Sequence, residues 1–579
     1  MTYDCKGMKD SNFSCSVFTG SLEHIALAKS TNNSEIGSRK SEGGRRKSEN
    51  RLTTPGFRLP NSPFRLQMRT CYVKGLPVII GSVLVALVSM LVSCKPIHKE
   101  PEAPPNIIFI MADDLGWQDV GFMGSQWFET PHLDALAKES LVFNQAYMYP
   151  TCSPSRAALL TGKQSFRTQV YNVPVLEKKN APEQNIYSRW TVGQEHTLYA
   201  EPLREAGYKL IHLGKWHIVG PDPAAELALA YPFAERLAQP VNGGLSWLAS
   251  HRSEAIQAYY PIGRGFHENV GGTWWGDPAR GYDEGYKAPS GGYKAPFKNP
   301  FISDKASDEW LTDRLTDEAI DFMDRNGGQP FFVNLHYYAP HRPTVVRNEY
   351  WMEKFLSKMP DTLTGQGTKN LEEIAGYATM IQSLDENVGR ILDYLDEKGW
   401  RENTLILFTS DNGFNGLQSI NKRLRGAKGT IYEGGLRVPA LANWTGTIAA
   451  GISDIPIFGL DYFPTFLEAA GIGDYQDTLD GKSLLPIYQG REFADRPLFW
   501  HIASTYKNPP CSIIRKGKWK LIQFLNDGKI ELYKLEEDLK ESHNLVNEHP
   551  QIAKRLLLEL SNWRKDNKVP LPPVSQLEF

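Results

Sequence analysis

Cysteine is scarce in this chain: six in 579 residues, at positions 5, 15, 71, 94, 152 and 511. Once a leader is removed only Cys94, Cys152 and Cys511 remain, and if Cys94 is itself modified the one bridge left is Cys152 to Cys511. An excess of one charge is missing too. Lys and Arg number 64 against 66 Asp and Glu, a net −2, which excludes an overall basic field for nucleic acid and leaves any anionic ligand to be met locally. No internal repeat is found. Hydrophobic residues at 41% and charged residues at 22% fall in the globular range and argue against disorder or collagen-like repetition. The length allows more than one packed core. With 49 Gly, 14 Trp and 25 Tyr, the chain is loop-rich and well supplied with ring faces, a composition shared by α/β enzymes and carbohydrate binders.

The N-terminal region reads as a leader. Residues 1–67 are rich in Ser, Asn, Lys and Arg without an apolar period, as expected of a disordered extension or of a mis-assigned start upstream of Met68. Residues 68–93 have the layout of a signal peptide: Arg69 and Lys74 flank an apolar run over 76–92 that ends in Leu91-Val92-Ser93-Cys94. The run is shorter than the roughly 20 residues a spanning helix needs. It resembles a bacterial lipobox, which implies a lipid on Cys94, attachment to a membrane through it, and a Pro- and Lys-rich tether over 94–105. The expected location is the cell envelope, as an exported lipoprotein on the periplasmic or outer side.

Three short segments then carry chemistry. Asn106-Ile107-Ile108-Phe109-Ile110-Met111 reads as a buried parallel strand delivering Asp113 and Asp114 at its carboxyl end. Thr404-Leu405-Ile406-Leu407-Phe408 is a second such strand, ending in Asp411 and Asn412. Together these four residues form a predicted oxygen cage for Ca²⁺ or Mg²⁺. Zinc is disfavoured because no histidine accompanies either cluster in sequence. Between the strands, Cys152-Ser153-Pro154-Ser155-Arg156 and the following Ala157-Ala158-Leu159-Leu160-Thr161-Gly162 predict a short helix over about 153–161. Cys152 would sit at its positive end, with Arg156 one turn on. A thiolate nucleophile at Cys152 would want a nearby histidine as base.

The Cys-x-Pro-Ser-Arg segment with its Leu-Thr-Gly ending resembles the signature of type I sulfatases, the formylglycine-dependent enzymes of the alkaline phosphatase superfamily, which include bacterial polysaccharide sulfatases and arylsulfatase-like lipoproteins. Gly214-Lys215-Trp216-His217, Ala339-Pro340-His341-Arg342-Pro343 and Gly426-Ala427-Lys428-Gly429-Thr430-Ile431-Tyr432-Glu433-Gly434-Gly435 follow in family order. The resemblance covers nearly the whole mature chain. It implies that a maturing enzyme oxidises Cys152 to Cα-formylglycine, whose hydrate joins Asp113, Asp114, Asp411 and Asn412 around the metal. It further implies that Asp411 helps activate one hydroxyl and that Arg156, Lys215 and Lys428 neutralise the sulfuryl oxygens. His341 or Lys428 would then protonate the departing oxygen, and His217 would take the second proton.

The resemblance also implies the fold: an alkaline-phosphatase-like mixed α/β sheet flanked by helices over 106–479, with a smaller α+β subdomain over 480–579. Periodicity independently predicts amphipathic helices over 308–325 and 371–398, and a closing helix over 551–565. The Gly- and Pro-rich stretch 221–300 reads as insertions over the site. The expected substrate is a sulfated carbohydrate, with algal polysaccharides such as ulvan, carrageenan or porphyran ahead of host glycosaminoglycans. A phosphodiesterase or phosphonate hydrolase on the same scaffold, and a non-catalytic sulfated-glycan-binding lipoprotein, are the alternatives. Outside the motifs, His336 reads as a mid-strand core residue that could instead face the substrate, Arg425 and Arg437 as residues for ion pairing or equally for sulfate binding, and Trp274, Trp275 and His267 as loop residues able to face a sugar or anchor the loop.

Overall fold

The continuous apolar run Asn106–Ala112 forms strand β1 at the heart of the molecule, buried along its whole length. Alternate residues of a strand face opposite ways, and here each set enters its own core. Ile107, Phe109 and Met111 pack on one side of the sheet, while Ile108, Ile110 and Ala112 pack on the other. Burial on both faces is what an uninterrupted Ile/Phe/Met run requires. Each such side chain contributes about 1.5–3 kcal/mol when taken from water.

In this computed structural model the residues described are 104–177, 185–220, 223–228, 254–278, 292–361, 367–416, 423–473, 475–573, 575 and 577. The leader, the signal segment, Cys94, most of the tether and much of the 221–300 insertion lie outside them. No helix among the described residues is long and apolar enough to cross a membrane.

In chain order β1 is followed by β2 (Leu141–Phe143), β3 (Ala146–Tyr147), β4 (Lys209–Gly214), β5 (Glu268–Val270), β6 (Phe331–His336), β7 (Thr404–Ser410), β8 (Arg437–Val438), β9 (Ala440–Asn443), β10 (Gly451–Ser453) and β11 (Ile457–Phe458). The main sheet runs β10-β2-β9-β7-β1-β6-β4-β5. From β7 to β5 every pairing is parallel, and β9 is antiparallel to both β7 and β2. The carboxyl ends of β1, β4, β6 and β7 therefore share one edge, where open α/β sheets gather their ligands. Helices Leu311–Asn326 and Thr368–Lys398 cover one face of the sheet. They begin within three residues of their predicted starts.

The last part of the chain builds an antiparallel sheet from β12 (Leu498–Ile502), β13 (Cys511–Lys516), β14 (Trp519–Phe524) and β15 (Ile530–Lys534). Helix Pro550–Asp566 closes one face through Ala553, Leu556 and Leu560. On the other face Trp500, Ile513 and Ile522 share a core with Tyr147, Tyr149 and Ala158, and Trp500 Nε1 donates to the Met148 carbonyl at 3.0 Å. The C-terminal sheet is thus packed directly behind the helix that carries Cys152.

Candidate active site

Cys152 opens the helix Cys152–Thr161, one residue before the predicted start, because Thr151 is the last extended residue (φ −144°, ψ 162°). Gly162, at φ 65°, closes it. Every residue of this helix is buried. Cys152 and Cys511 are both free thiols, so the conceivable bridge between them is not formed. Burial pushes the Cys152 thiol up, although Lys215 and Lys428 pull the other way. A thiol held in its neutral form is a poor thiolate nucleophile.

The two acidic strand ends meet beside it. Ligand atoms of Asp113, Cys152 and Asp411 lie within 4.8 Å of one another, as do those of Asp113, Asp114 and His341. Asn412 Nδ2 donates to Asp114 Oδ1 at 2.8 Å. Three cations answer the three carboxylates: Lys215 Nζ is 2.5 Å from Asp113 Oδ2, Lys428 Nζ 2.6 Å from Asp114 Oδ1, and Arg156 Nη2 2.9 Å from Asp411 Oδ2. Arg156 Nη1 also donates to the Lys215 carbonyl at 2.8 Å, linking the Cys152 helix to the end of β4. All the residues predicted for the site are therefore brought together, from segments as far apart as Asp113 and Lys428.

Burial and the Asp411 charge push the Asp113 carboxyl well up. Burial acts the same way on Asp114, but there Lys428 and His341 win and hold it below the usual carboxylate range. Burial opposes the charge on Lys428, yet Asp114 and the surrounding anions keep it protonated. His217 is pushed well down by burial and by Lys215, and His341 to about 4 by burial, Lys215 and Lys428, so both rings are neutral at ordinary pH. His341 Nδ1 donates to the Arg342 carbonyl at 2.6 Å, which leaves Nε2 presenting a lone pair 3.8 Å from Asp114 Oδ2. Asp114 and His217 adopt φ of 63° and 60°, a region costly for non-glycine residues and concentrated at working sites.

The donor set suits a hard divalent cation. Asp113 Oδ1, Asp114 Oδ2 and Asn412 Oδ1 are buried and accept no hydrogen bond among the described residues. These are carboxylate and amide oxygens, the type Ca²⁺ and Mg²⁺ take. A divalent cation would also relieve the repulsion that raises Asp113. One sequence argument needs correcting: a histidine does stand beside the acidic cluster, because the loop after β6 brings His341 to Asp114. Beside His341 a cleft of about 660 Å³ opens, lined among others by Asp277, Arg342, Pro343, Lys369 and Glu373.

A family model described as Sulfatase matches residues 105–472. The chain belongs to the sulfatase family. It is a sulfuric ester hydrolase of the alkaline-phosphatase-like superfamily. A second model, the C-terminal region of N-sulphoglucosamine sulphohydrolase, matches residues 426–566. A sulfatase of Formosa agariphila is 29% identical over 533 residues, covering 84% of this chain and 93% of its own. The N-acetylgalactosamine-6-sulfatase of Mus musculus is 32% identical over 428 residues, 69% of each chain. Among solved structures, Ps i-CgsB, also crystallised in complex with k-i-k-neocarrahexaose, is 27% identical with a TM-score of 0.61, covering 82% of this chain and 95% of its own.

In this sulfatase several residues outside the motifs take places that the sequence did not announce. His336 is the last residue of β6 rather than a mid-strand residue. Its Nδ1 lies 3.3 Å from Arg156 Nη1, and burial with the Arg156 charge pushes it well down. Asp277 Oδ1 stands 3.4 Å from His341 Nδ1. Trp274 and Trp275 are buried, so neither offers a face to a sugar, and Trp274 meets Trp190 edge-on instead. His267 Nδ1 accepts the Leu210 N–H at 3.2 Å, an anchoring contact. Arg425 lies 3.6 Å from the centre of the Tyr432 ring and donates to the Glu541 carbonyl, while Arg437 lies over Trp117 and pairs with Glu433 at 3.6 Å. Both are structural.

Proposed function

We propose that the protein hydrolyses sulfate esters of a sulfated polysaccharide or oligosaccharide, with position 152 as Cα-formylglycine beside Ca²⁺, or Mg²⁺ in its place. The observation that carries this reading is the placement of Cys152 at a helix start, within 4.8 Å of Asp113 and Asp411. Hydrated formylglycine supplies an oxygen nucleophile, and a divalent cation held by Asp113, Asp114, Asp411 and Asn412 supplies charge neutralisation. The chain's own residues do the rest. Arg156, Lys215 and Lys428 set three positive charges in a largely buried site, where they act on developing charge without reorganising. Asp411 orients and helps deprotonate the attacking hydroxyl. As the sulfur–oxygen bond of the ester breaks, the leaving oxygen takes its proton from Lys428, because neutral His341 has only a lone pair at Nε2. His217, neutral and with no hydrogen bond to Nδ1, accepts the proton released when sulfate departs.

An algal polysaccharide such as ulvan, carrageenan or porphyran is the favoured substrate, supported by the 27% identity to the enzyme crystallised with k-i-k-neocarrahexaose. An amino-sugar 6-sulfate is the second reading, supported by the 32% identity to N-acetylgalactosamine-6-sulfatase. The cleft beside His341 has the volume of a small-ligand site. We further infer an exported lipoprotein anchored through Cys94 and matured by a formylglycine-generating enzyme. The test is sulfate release from defined sulfated oligosaccharides by protein co-expressed with that enzyme, against phosphodiester and phosphonate controls. Release that Cys152→Ala abolishes supports the reading. Turnover of the phosphorus esters alone, or full turnover by Cys152→Ala, ends it.

A further inference from the structure

A loop of the C-terminal sheet reaches the catalytic cluster. Between β12 and β13, residues 505–508 run along 428–431 of the motif loop. The Ile431 N–H donates to Asn508 Oδ1 at 3.1 Å, and Lys507 Nζ donates to the Lys428 carbonyl at 2.6 Å. Gly429 makes this approach possible. Its φ is +83°, and a Cβ there would fall 2.5 Å from Tyr506 Cε1 and 3.2 Å from Lys507 Cδ. The Tyr506 ring, 5.6 Å from Lys507 Nζ, lies against the glycine backbone.

Lys507 therefore stands beside the residue whose own ammonium holds Asp114, but on the solvent side of it. Lys428 is buried whereas Lys507 is exposed. Among the described residues Lys507 forms no ion pair. The charges of Lys428, Asp114 and Arg342 all act on it; burial and Lys428 push its pKa down, and Asp114 acts against them. Arg342 is already paired with Glu373, and Lys428 with Asp114. Lys507 alone of the three has no carboxylate of its own, and one of its three donors is committed to the Lys428 carbonyl. A docked lysine in a cationic neighbourhood, whose other two donors have no partner among the described residues, is equipped to receive an anion. The scissile sulfate already has Arg156, Lys215 and Lys428 beneath it.

We propose that Lys507 is a specificity-determining residue that binds a second anionic group of the substrate, a sulfate or a carboxylate, on the sugar that carries the scissile ester or on its neighbour. This rests on the sulfated-glycan reading above. It makes the C-terminal sheet part of the substrate site.

The experiment compares the matured, metal-loaded wild type with Lys507→Met and Lys507→Arg on matched oligosaccharides. Each pair differs by one added anionic group, a second sulfate in one arm and a uronate carboxylate in the other. The expected result is that Lys507→Met lowers the preference in kcat/KM for the doubly anionic member about tenfold, as one lost charge-assisted contact implies. The loss falls on KM, and Lys507→Arg keeps most of the preference. The arm that responds identifies the anion. Equal losses on both members of every pair would mean that Lys507 only steadies Lys428, and would overturn the proposal while leaving the parent reading intact. No sulfate release from any oligosaccharide by the wild type overturns both.

Discussion

Arg156 grips Asp411 through two donors that converge on one oxygen, Nε at 3.1 Å and Nη2 at 2.9 Å from Oδ2. The other oxygen of Asp411 accepts the Asp114 N–H at 3.2 Å. One buried pair thus ties the Cys152 helix to the ends of both β1 and β7. Replacing Arg156 by Ala would leave Asp411 buried without its cation, a change that costs about 3–5 kcal/mol. Denaturant unfolding of Arg156→Ala checks the stability. For Arg156→Lys, which keeps a charge but not the two-donor grip, sulfate release should fall at least about 100-fold. A loss under about 1 kcal/mol in the alanine variant would show that the pair is not what holds these elements.

Removal of divalent cations should abolish sulfate release, and added Ca²⁺ or Mg²⁺ should restore it. Binding also has a signature independent of turnover. At a concentration near 100 times Kd a cation that binds only the folded chain adds about 2.7 kcal/mol of stability. Thermal unfolding of the wild type should therefore shift upward with Ca²⁺, and that of Asp113→Asn should not. An identical shift in both would place the cation elsewhere.

Glu177 is buried, with Oε1 accepting the Ser188 N–H at 3.0 Å, and burial raises its carboxyl from the ordinary 4.5 to about 8. Between those two values the unfolded chain gives up this proton while the folded chain keeps it, so this group lowers stability as pH rises through the window. Glu177→Gln should flatten that decline and stabilise the protein at pH 8 by roughly 1–3 kcal/mol, with no gain below about pH 4.5. Melting temperatures across the pH range decide it, and parallel curves for the two proteins would refute it.

Lys520 is buried between Glu433, at 3.0 Å, and Glu541, at 2.8 Å. It joins β14 of the C-terminal sheet to the Glu433–Leu436 turn that follows the Lys428 loop. Lys520→Met would leave Glu541 without a cation and Glu433 with Arg437 alone, and should cost about 3–5 kcal/mol. The double variant with Glu433→Gln should recover part of that loss. A single variant as stable as the wild type would show that the network is not structural.

The central strands were legible because continuous apolar runs such as 106–111 admit few other readings. The Cys152 helix was legible because Pro near its start and Gly at its end bracket it. The site residues were legible as motifs. Asp277, His336 and Lys507 were not, because nothing local to Gly276-Asp277-Pro278 or Tyr506-Lys507-Asn508 says which distant segment the loop will meet. The strand of His336 was recognised, but which residue ends it depends on the register with β1 and β4. For Trp274 and Trp275 the sequence left open whether they face a sugar or anchor their loop, because a glycine-rich stretch looks exposed; packing buries both, as anchors. Even the histidine beside the acidic cluster came from 228 positions away, His341 against Asp113.

Cys152 is 2% exposed, roofed by strand ends from both halves of the chain and backed by the C-terminal sheet. No second protein can grasp a side chain in that position. On the formylglycine reading proposed above, the catalyst that converts the cysteine would have to arrive while the polypeptide is still an open thread, before Asp411 and everything after it has been laid over the helix. On that reading the timing of the conversion would be set by the order in which the chain closes on itself.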